Sequence, residues 1–235
     1  MVTKFSTRPL YLQLHDAMTQ RVAGGQWKPG PIANEGDLAR EFGVSTGTVR
    51  KALDLMEVER LITRRQGRGT FVNDQTARHL SSRFCNIRTP NGRSVERQFR
   101  VDEVAEAQAN ETERQRLGLG ENERVFRIRR LCLDGDRPLM VEKISLPGAL
   151  FLNVPDTIPD TAALAQQNGI VLGKAAERIT VEVAAPAVSK LLNIPDNSAV
   201  LVLDRVVHTL LGRQAEWRIG YCHLGREYRY FAEMT

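Results

Sequence analysis

The stretch Asn34-Glu35-Gly36-Asp37-Leu38-Ala39-Arg40-Glu41-Phe42-Gly43-Val44-Ser45-Thr46-Gly47-Thr48-Val49-Arg50-Lys51-Ala52-Leu53 limits the possible folds more than any other part of the chain. Leu38, Ala39 and Phe42 recur at helical spacing and share one face of a short helix. Gly43 suits the left-handed conformation that ends such a helix. Ser45 suits the N-cap of the next one, because its hydroxyl accepts a bond from an orphan backbone N–H. In that second helix Val49, Ala52, Leu53 and Met56 form an apolar stripe at i, i+3, i+4 and i+7. The face left over begins with Thr46, Gly47, Thr48, Arg50 and Lys51. Small polar and basic groups at the N-terminal end let a helix backbone approach a major groove closely. They also supply hydrogen bonds to base edges and positive charge to phosphates.

Two flanking features extend the pattern. Leu61 to Arg65 and Thr70 to Val72 read as short strands around Gln66-Gly67-Arg68-Gly69, with Arg64, Arg65 and Arg68 expected to carry charge at the hairpin tip. Upstream, Leu10, Leu14, Ala17, Met18 and Val22 mark an amphipathic helix over Pro9 to Gly24. A helix-turn-helix followed by a basic hairpin is a winged helix.

Pro9-Leu10-Tyr11, Gly25 to Gly30, Glu35, Leu38-Ala39, Val44-Ser45, Thr48-Val49-Arg50, Ala52-Leu53 and Arg64 to Val72 together resemble the amino-terminal domain of GntR-type bacterial transcription regulators. The resemblance implies a DNA-binding set of Glu35, Ser45, Thr46, Gly47, Thr48, Arg50, Lys51, Arg65, Gly67 and Arg68, with double-stranded operator DNA as partner. Two positions depart from the family pattern. Gly36 follows Glu35 and Thr46 follows Ser45, where the family usually carries arginine. Two family base contacts are therefore absent, and the operator is expected to be poorer in guanine contacts.

Charge distribution agrees with a DNA module. The net charge of +5 is uneven: residues 1–78 hold 12 Lys/Arg against 8 Asp/Glu, and the remainder is nearly balanced. A basic excess attracts phosphate. Cys85, Cys132 and Cys222 are odd in number and widely spaced, which fits free thiols in a reducing cytoplasm. No apolar run approaches the ~18 residues of a membrane span.

The chain length allows two domains, expected at 1–73 and 80–235, with a polar linker at 74–79. The second domain reads as α+β. Strands are expected over Arg97 to Val104, Arg124 to Leu133, Pro138 to Ile144, Glu177 to Ala184, Ala199 to Leu210 and Ala215 to Leu224. Tyr228 to Phe231 is expected to finish the sheet. Helices are expected over Glu111 to Leu119, Thr161 to Asn168 and Ala187 to Leu192. A weak internal repeat aligns Leu117 to Val125 and Arg130 with Leu192 to Val200 and Arg205 at a constant offset. Glu103-Val104-Ala105 and Glu182-Val183-Ala184 precede the two copies as similar strands. A duplicated strand–helix–hairpin unit buries a sheet face and leaves a pocket near the pseudo-twofold.

Arg130-Leu131, Asp134-Gly135, Pro138, Glu142, Leu146-Pro147, Gly169-Ile170, Leu191-Leu192, Ile194, Arg205 and Tyr228 resemble the UTRA effector-binding domain of the HutC-like branch, whose fold is like chorismate lyase. That resemblance implies ligand contacts from Arg130, Glu142 and Tyr228 to a small polar or anionic metabolite. An Arg–carboxylate pair in a cavity suits such a ligand, although the same pair could be a structural cross-strand bridge. Cys132 replaces a second family arginine, and Leu224 and Arg226 depart from the residues expected beside Tyr228. The four histidines are scattered, and no catalytic constellation, metal site or cofactor motif is present. The expectation is a homodimeric, metabolite-responsive transcription regulator, a repressor rather than an enzyme; the alternatives are a DNA-tethered small-molecule lyase or hydrolase, and a ligand-independent regulator whose second domain serves only dimerisation.

Overall fold

The computed structural model describes residues 8–74, 85–152, 154–157 and 160–232. The chain divides into two compact units at residue 75. Most of the expected linker, 75–79, lies outside the described residues.

In the first unit α1 (Leu10–Ala23), α2 (Glu35–Phe42) and α3 (Thr46–Val58) pack around Leu14, Met18, Val22, Leu38, Val49, Ala52, Leu53 and Met56. The caps explain the boundaries. The Asn34 side chain accepts from the Asp37 N–H, Gly43 is left-handed at φ 65°, and the Ser45 side chain accepts from the Thr48 N–H. These satisfy orphan donors at two helix starts and turn the chain tightly between them. The wing is β2 (Ile62–Arg65) paired antiparallel with β3 (Gly69–Val72). A third strand, β1 (Gly30–Pro31), adds to β3 at the edge. It carries no strand signal, since Pro31 lacks an N–H and is tolerated in a sheet only at such an edge.

The second unit is built on a six-stranded antiparallel sheet. Its strands are β5 (Arg97–Gln108), β6 (Arg124–Asp134), β7 (Arg137–Pro147), β8 (Leu172–Val183), β9 (Ala199–Thr209) and β10 (Gln214–Cys222), in the order β5-β6-β7-β10-β9-β8. Helix α4 (Glu111–Leu117) joins β5 to β6, and α6 (Pro186–Leu192) joins β8 to β9. Two strand–helix–hairpin units therefore meet at the β7–β10 seam, as a duplication requires. The register refines the alignment. Ala107 pairs with Val125 and Glu182 pairs with Val200. Glu182 therefore corresponds to Ala107, and the likeness of Glu103–Ala105 to Glu182–Ala184 is out of phase with the repeat.

Both helices cover one sheet face. Leu117 packs with Val125 and Trp217, and Val188 and Leu192 pack with Leu131, Val141 and Val200. Asn110 and Glu113 form a capping box on α4, and Glu113 also accepts from Ser145 Oγ at 2.8 Å, which fastens the helix to β7. The opposite face carries two apolar clusters. In one, α5 (Thr161–Gln167) places Ala162, Leu164 and Ala165 on Ile128, Ile144, Leu146 and Val207. In the other, Cys85, Ile87 and Tyr228 lie on Cys132, Leu139, Met140, Leu203 and Cys222. One expectation fails here. The last strand, β11 (Arg229–Tyr230), does not finish the sheet. It pairs with β4 (Ile87–Arg88) as a separate two-stranded ribbon. Two residues of strand pattern identify a strand but not its partner.

Candidate nucleic-acid interface and ligand site

The recognition face of α3 is formed as its sequence suggests. Thr46, Gly47, Arg50 and Lys51 are exposed, while Val49, Ala52 and Leu53 are fully buried. Ser45 is committed to the cap and also meets Thr48 Oγ1 at 2.9 Å. Arg50 is not free-standing. Its guanidinium donates to Glu35 Oε2 from Nη2 at 2.8 Å and from Nε at 3.2 Å. Two of the expected DNA contacts, one on α2 and one on α3, are thus each other's partner in the unbound domain. Lys51 stands over the Tyr11 ring at 5.9 Å.

At the wing, Arg65 stacks on Phe71 at 5.1 Å, and Arg68 closes the turn by donating its N–H to the Arg65 carbonyl. Gly67 and Gly69 have φ of 69° and 100°, a region closed to most side chains. Arg64 was expected at the tip and is not there. It turns back onto α3, donating to Glu57 Oε2 at 2.8 Å and pairing with Asp54. Alternation along β2 sends Arg64 to the face opposite Arg65, so Arg64 fixes the wing against the recognition helix.

In the second unit Arg130 and Glu142 are register partners across β6 and β7, with Nε to Oε2 at 2.5 Å and both side chains fully buried. Arg130 also lies 3.7 Å from the Phe99 ring centroid. The pair belongs to a larger network that the sequence reading did not find. Arg218 donates to Glu142 Oε1, to Glu216 Oε1 and to Thr161 Oγ1, each at 2.7 Å. Arg205 donates to Glu177 Oε1 at 2.7 Å, and Glu177 Oε2 accepts from Tyr230 at 2.5 Å. Burial alone pushes the Glu142 carboxyl up, but the Arg130 and Arg218 guanidiniums outweigh it and hold the pKa at about 2.

Two adjoining clefts open onto this network. One, with a cavity volume of only about 10 Å³, is bordered by Glu142, Glu177, Arg205, Arg218 and Gly220. The other, about 20 Å³, is bordered by Asp160, Thr161, Arg205, Glu216 and Arg218. Gly220 sits beside Glu142 in register, where a Cβ would come within 2.5 Å of Met140 Sδ. The missing side chain leaves the opening. Of the three expected ligand residues, only Glu142 borders a cleft. Arg130 lies behind it, and Tyr228 is in the neighbouring apolar cluster with its hydroxyl on Asp134 Oδ2 at 2.9 Å. The structure does not bring Tyr228 to the Arg130–Glu142 pair.

Arg205 was recoverable from the repeat, which maps Arg130 onto it. Glu216 and Arg218 were not, because they alternate with Ala215, Trp217 and Ile219, and alternation reads charged positions as solvent-facing. The three thiols are buried, and burial raises the Cys132 and Cys222 pKa values, the latter to about 12, so neither is a thiolate nucleophile at neutral pH. Among the described residues no group of three or more His, Cys, Asp and Glu is placed to hold a metal, and no helix is long and apolar enough to cross a membrane.

Comparison with known proteins decides the family. Residues 10–72 match the model of bacterial regulatory proteins of the gntR family, and residues 93–226, more than half the chain, match the UTRA domain. The chain belongs to the GntR family of bacterial transcription regulators and carries a UTRA domain. It is 26% identical over 227 residues to the transcriptional repressor NagR of Bacillus subtilis, covering 92% of this chain and 90% of that one. It is 30% identical over 220 residues to the regulator Rv0792c of Mycobacterium tuberculosis, covering 88% and 80%. The histidine utilization repressor of Pseudomonas putida is 25% identical over 230 residues, covering 94% and 90%. Among solved structures, YydK of Bacillus subtilis superposes with a TM-score of 0.58 at 14% identity, over 97% of this chain and all of that one. PhnF of Mycobacterium smegmatis gives 0.56 at 18%, over 97% and 99%. NagR, Rv0792c and the histidine utilization repressor are transcription regulators, not enzymes, and the tethered-enzyme alternative falls away.

Proposed function

We propose that this GntR-family regulator is a homodimeric cytoplasmic repressor whose hold on its operator is loosened by a small polar or anionic metabolite. The winged helix docks α3 in a major groove, with Thr46, Gly47 and Thr48 against base edges and Arg50 and Lys51 on bases or phosphate. Arg65, Gly67 and Arg68 bring the wing to the adjacent minor groove. Glu35 aims Arg50 before contact, so less freedom is lost on binding. Two such domains address two half-sites of a near-palindrome.

The observation that carries the ligand half of this reading is the buried network of Arg130, Glu142, Arg218, Glu216, Arg205 and Glu177 under two clefts. Such a set of fixed donors and acceptors recognises a compact polar molecule by direct bonds, with the surrounding apolar clusters excluding water. Glu142, Arg205 and Arg218 are the contacting groups in this reading. Arg130 holds Glu142 in place, and Tyr228 ties the β6–β7 hairpin tip to the underlying cluster. Ligand in the clefts favours a dimer geometry in which the recognition helices no longer match the half-sites.

Calorimetry on folded Glu142→Gln and Arg205→Gln tests this assignment. Both are expected to lose affinity for a metabolite that binds the wild type, while operator binding stays within about threefold. Unchanged metabolite affinity in both would reduce the network to a structural one.

A further inference from the structure

The metabolite that the proposed function calls for has no room in the structure as it stands. The two clefts over the charged network enclose about 10 Å³ and 20 Å³, the space of about one water each. A wall has to move. The floor is the six-stranded sheet, continuous through β7, β10, β9 and β8. Helix α5 borders the second cleft, but it is a capped helix of about two turns that carries its own hydrogen bonds. The wall of the first cleft is lighter. Cys85, Asn86 and Ile87, at and just before β4, line it. β4 stands outside the large sheet and pairs with β11 over two residues. A two-stranded ribbon so short has little stability of its own and depends on what it lies on.

The ribbon lies on apolar residues and is fastened at one carboxylate. Ile87, with Cys85 and Tyr228 beside the ribbon, packs with Cys132, Leu139, Met140, Leu203 and Cys222. Tyr230 donates its hydroxyl to Glu177 Oε2 at 2.5 Å. Asn86 Nδ2 donates to that same hydroxyl oxygen at 2.8 Å and to Glu177 Oε2 at 3.4 Å. The other oxygen, Oε1, accepts from Arg205 Nε at 2.7 Å. One side chain therefore joins the ribbon to an arginine assigned above to the ligand.

We propose that the β4–β11 ribbon is the lid of the ligand site and that Glu177 is its latch. The inference rests on the metabolite reading above and names the part that moves. A ligand that engages Arg205 and Glu177 takes the carboxylate from Tyr230 and Asn86, and the ribbon lifts. The lid is also the part of the second unit nearest in sequence to the DNA reader. Cys85 stands ten residues beyond Gln75, the last residue of the first unit. Lifting β4 moves the point at which the second unit takes up the chain from the first, in the same step that admits the ligand. Closed and lifted ribbons are then the two states whose balance both ligands bias: metabolite favours the lifted one, operator the closed one.

Native thiols test the lid on the full-length protein without any metabolite. Cys132 and Cys222 are fully buried in the cluster that the ribbon covers, so a thiol reagent reaches them when the ribbon lifts. N-ethylmaleimide labelling, read by peptide mass mapping, is expected to be about tenfold faster at these two cysteines in Tyr230→Phe, which keeps the ring and removes the hydroxyl on Glu177. Amide hydrogen exchange is expected to quicken in residues 85–88 and 228–231 while β7 and β10 keep their protection. In wild type, a saturating DNA duplex recovered by this protein from a random library is expected to slow the labelling at least about fivefold, because coupling between two sites is reciprocal. Wild-type labelling rates in Tyr230→Phe overturn the latch. So does a loss of protection throughout the sheet, which assigns the labelling to global unfolding. Labelling indifferent to the duplex overturns the link from lid to operator. None of these results touches the metabolite reading itself, which stands or falls on the calorimetry of Glu142→Gln and Arg205→Gln.

Discussion

The molecule contains the same chemical pair, an arginine on a glutamate, in two regions with opposite surroundings. Arg50 and Glu35 join the two helices of the DNA reader, with side chains 64% and 29% exposed. Arg130 and Glu142 join two strands of the UTRA sheet and are fully buried. An exposed pair is worth little, because water solvates both partners when it opens. Arg50 can therefore exchange Glu35 for a phosphate or a base edge at small cost. A buried pair cannot be opened without leaving charge in a medium that solvates it poorly, so only a ligand that supplies replacement charge can rearrange it. The first arrangement suits contact with a long polyanion from solution. The second suits selection of one small molecule.

The comparison breaks most visibly on stability. Glu142→Ala removes the carboxylate that Arg130 and Arg218 share and leaves Glu216 as the remaining carboxylate on Arg218, and is expected to destabilise the second unit by about 3–5 kcal/mol. Glu35→Ala is expected to stay within about 0.5 kcal/mol of wild type. Denaturant melts of the two variants check this, and equal losses would erase the distinction.

The next effect in size concerns base selection. Each bidentate arginine–guanine contact carries roughly 1–3 kcal/mol of discrimination. Gly36 and Thr46 stand where the resemblance to the family implies arginine. Selection from a random DNA library is expected to return half-sites with relaxed guanine preference at the corresponding positions. Gly36→Arg with Thr46→Arg is expected to restore it. An added Cβ at Gly36 meets Asn34 Oδ1 at 3.3 Å, a tight contact with a side chain on the surface, while the nearest atom to one at Gly47 is Ser45 Oγ at 3.9 Å. The helix start thus has room for a close backbone approach. A wild-type half-site with strongly fixed guanines at those positions would defeat this prediction.

Affinity, as distinct from selectivity, is expected to rest on Arg50 and Arg68. Each alanine variant should weaken operator binding about tenfold and lower the magnitude of the salt slope by about one. Fluorescence anisotropy across a salt series reads both quantities. Wild-type affinity in both variants would exclude the docking described here.

The first unit was legible in the sequence almost to the residue, and the second only in outline. Caps and glycines explain the first. Asn34, Gly43 and Ser45 act on their immediate neighbours, so sequence proximity equals spatial proximity. Gly67 and Gly69 do the same at the wing. Arg64 misled because its partners Asp54 and Glu57 lie on another element. In the second unit the strands and the repeat were readable from alternation, and the Arg130–Glu142 register followed from the hairpin turn. The network beyond that pair was not. Both sheet faces are covered, so Glu216 and Arg218 point into a second buried layer that alternation assigns to solvent. Tyr228 matched a family position, yet its place depends on how the chain end returns over the sheet, which no local pattern encodes.

A smaller effect separates the regions by pH. His15 on α1 meets Glu59 at 2.9 Å, and that hydrogen bond raises its pKa above the usual 6.5 despite partial burial. A raised folded-state pKa means the added stability is complete below the unfolded value and is lost as pH rises through the folded value. The first unit's melting temperature is expected to fall slightly between about pH 6 and pH 8, by less than ~1 kcal/mol of stability. Glu59→Gln should flatten the dependence. Glu142, held at about 2, contributes no pH dependence in that range. A profile unchanged in Glu59→Gln would assign the effect elsewhere.

The central claim is that occupancy of the buried charge network controls the exposed one. It is tested most directly by measuring operator affinity of the full-length protein with and without a polar or anionic metabolite chosen because it raises the protein's melting temperature. Coupling of the usual size, about 1–3 kcal/mol, predicts that saturating metabolite weakens operator binding roughly 5–150-fold. A metabolite that stabilises the protein and is lost on Arg205→Gln, yet leaves operator affinity unchanged, would contradict the account.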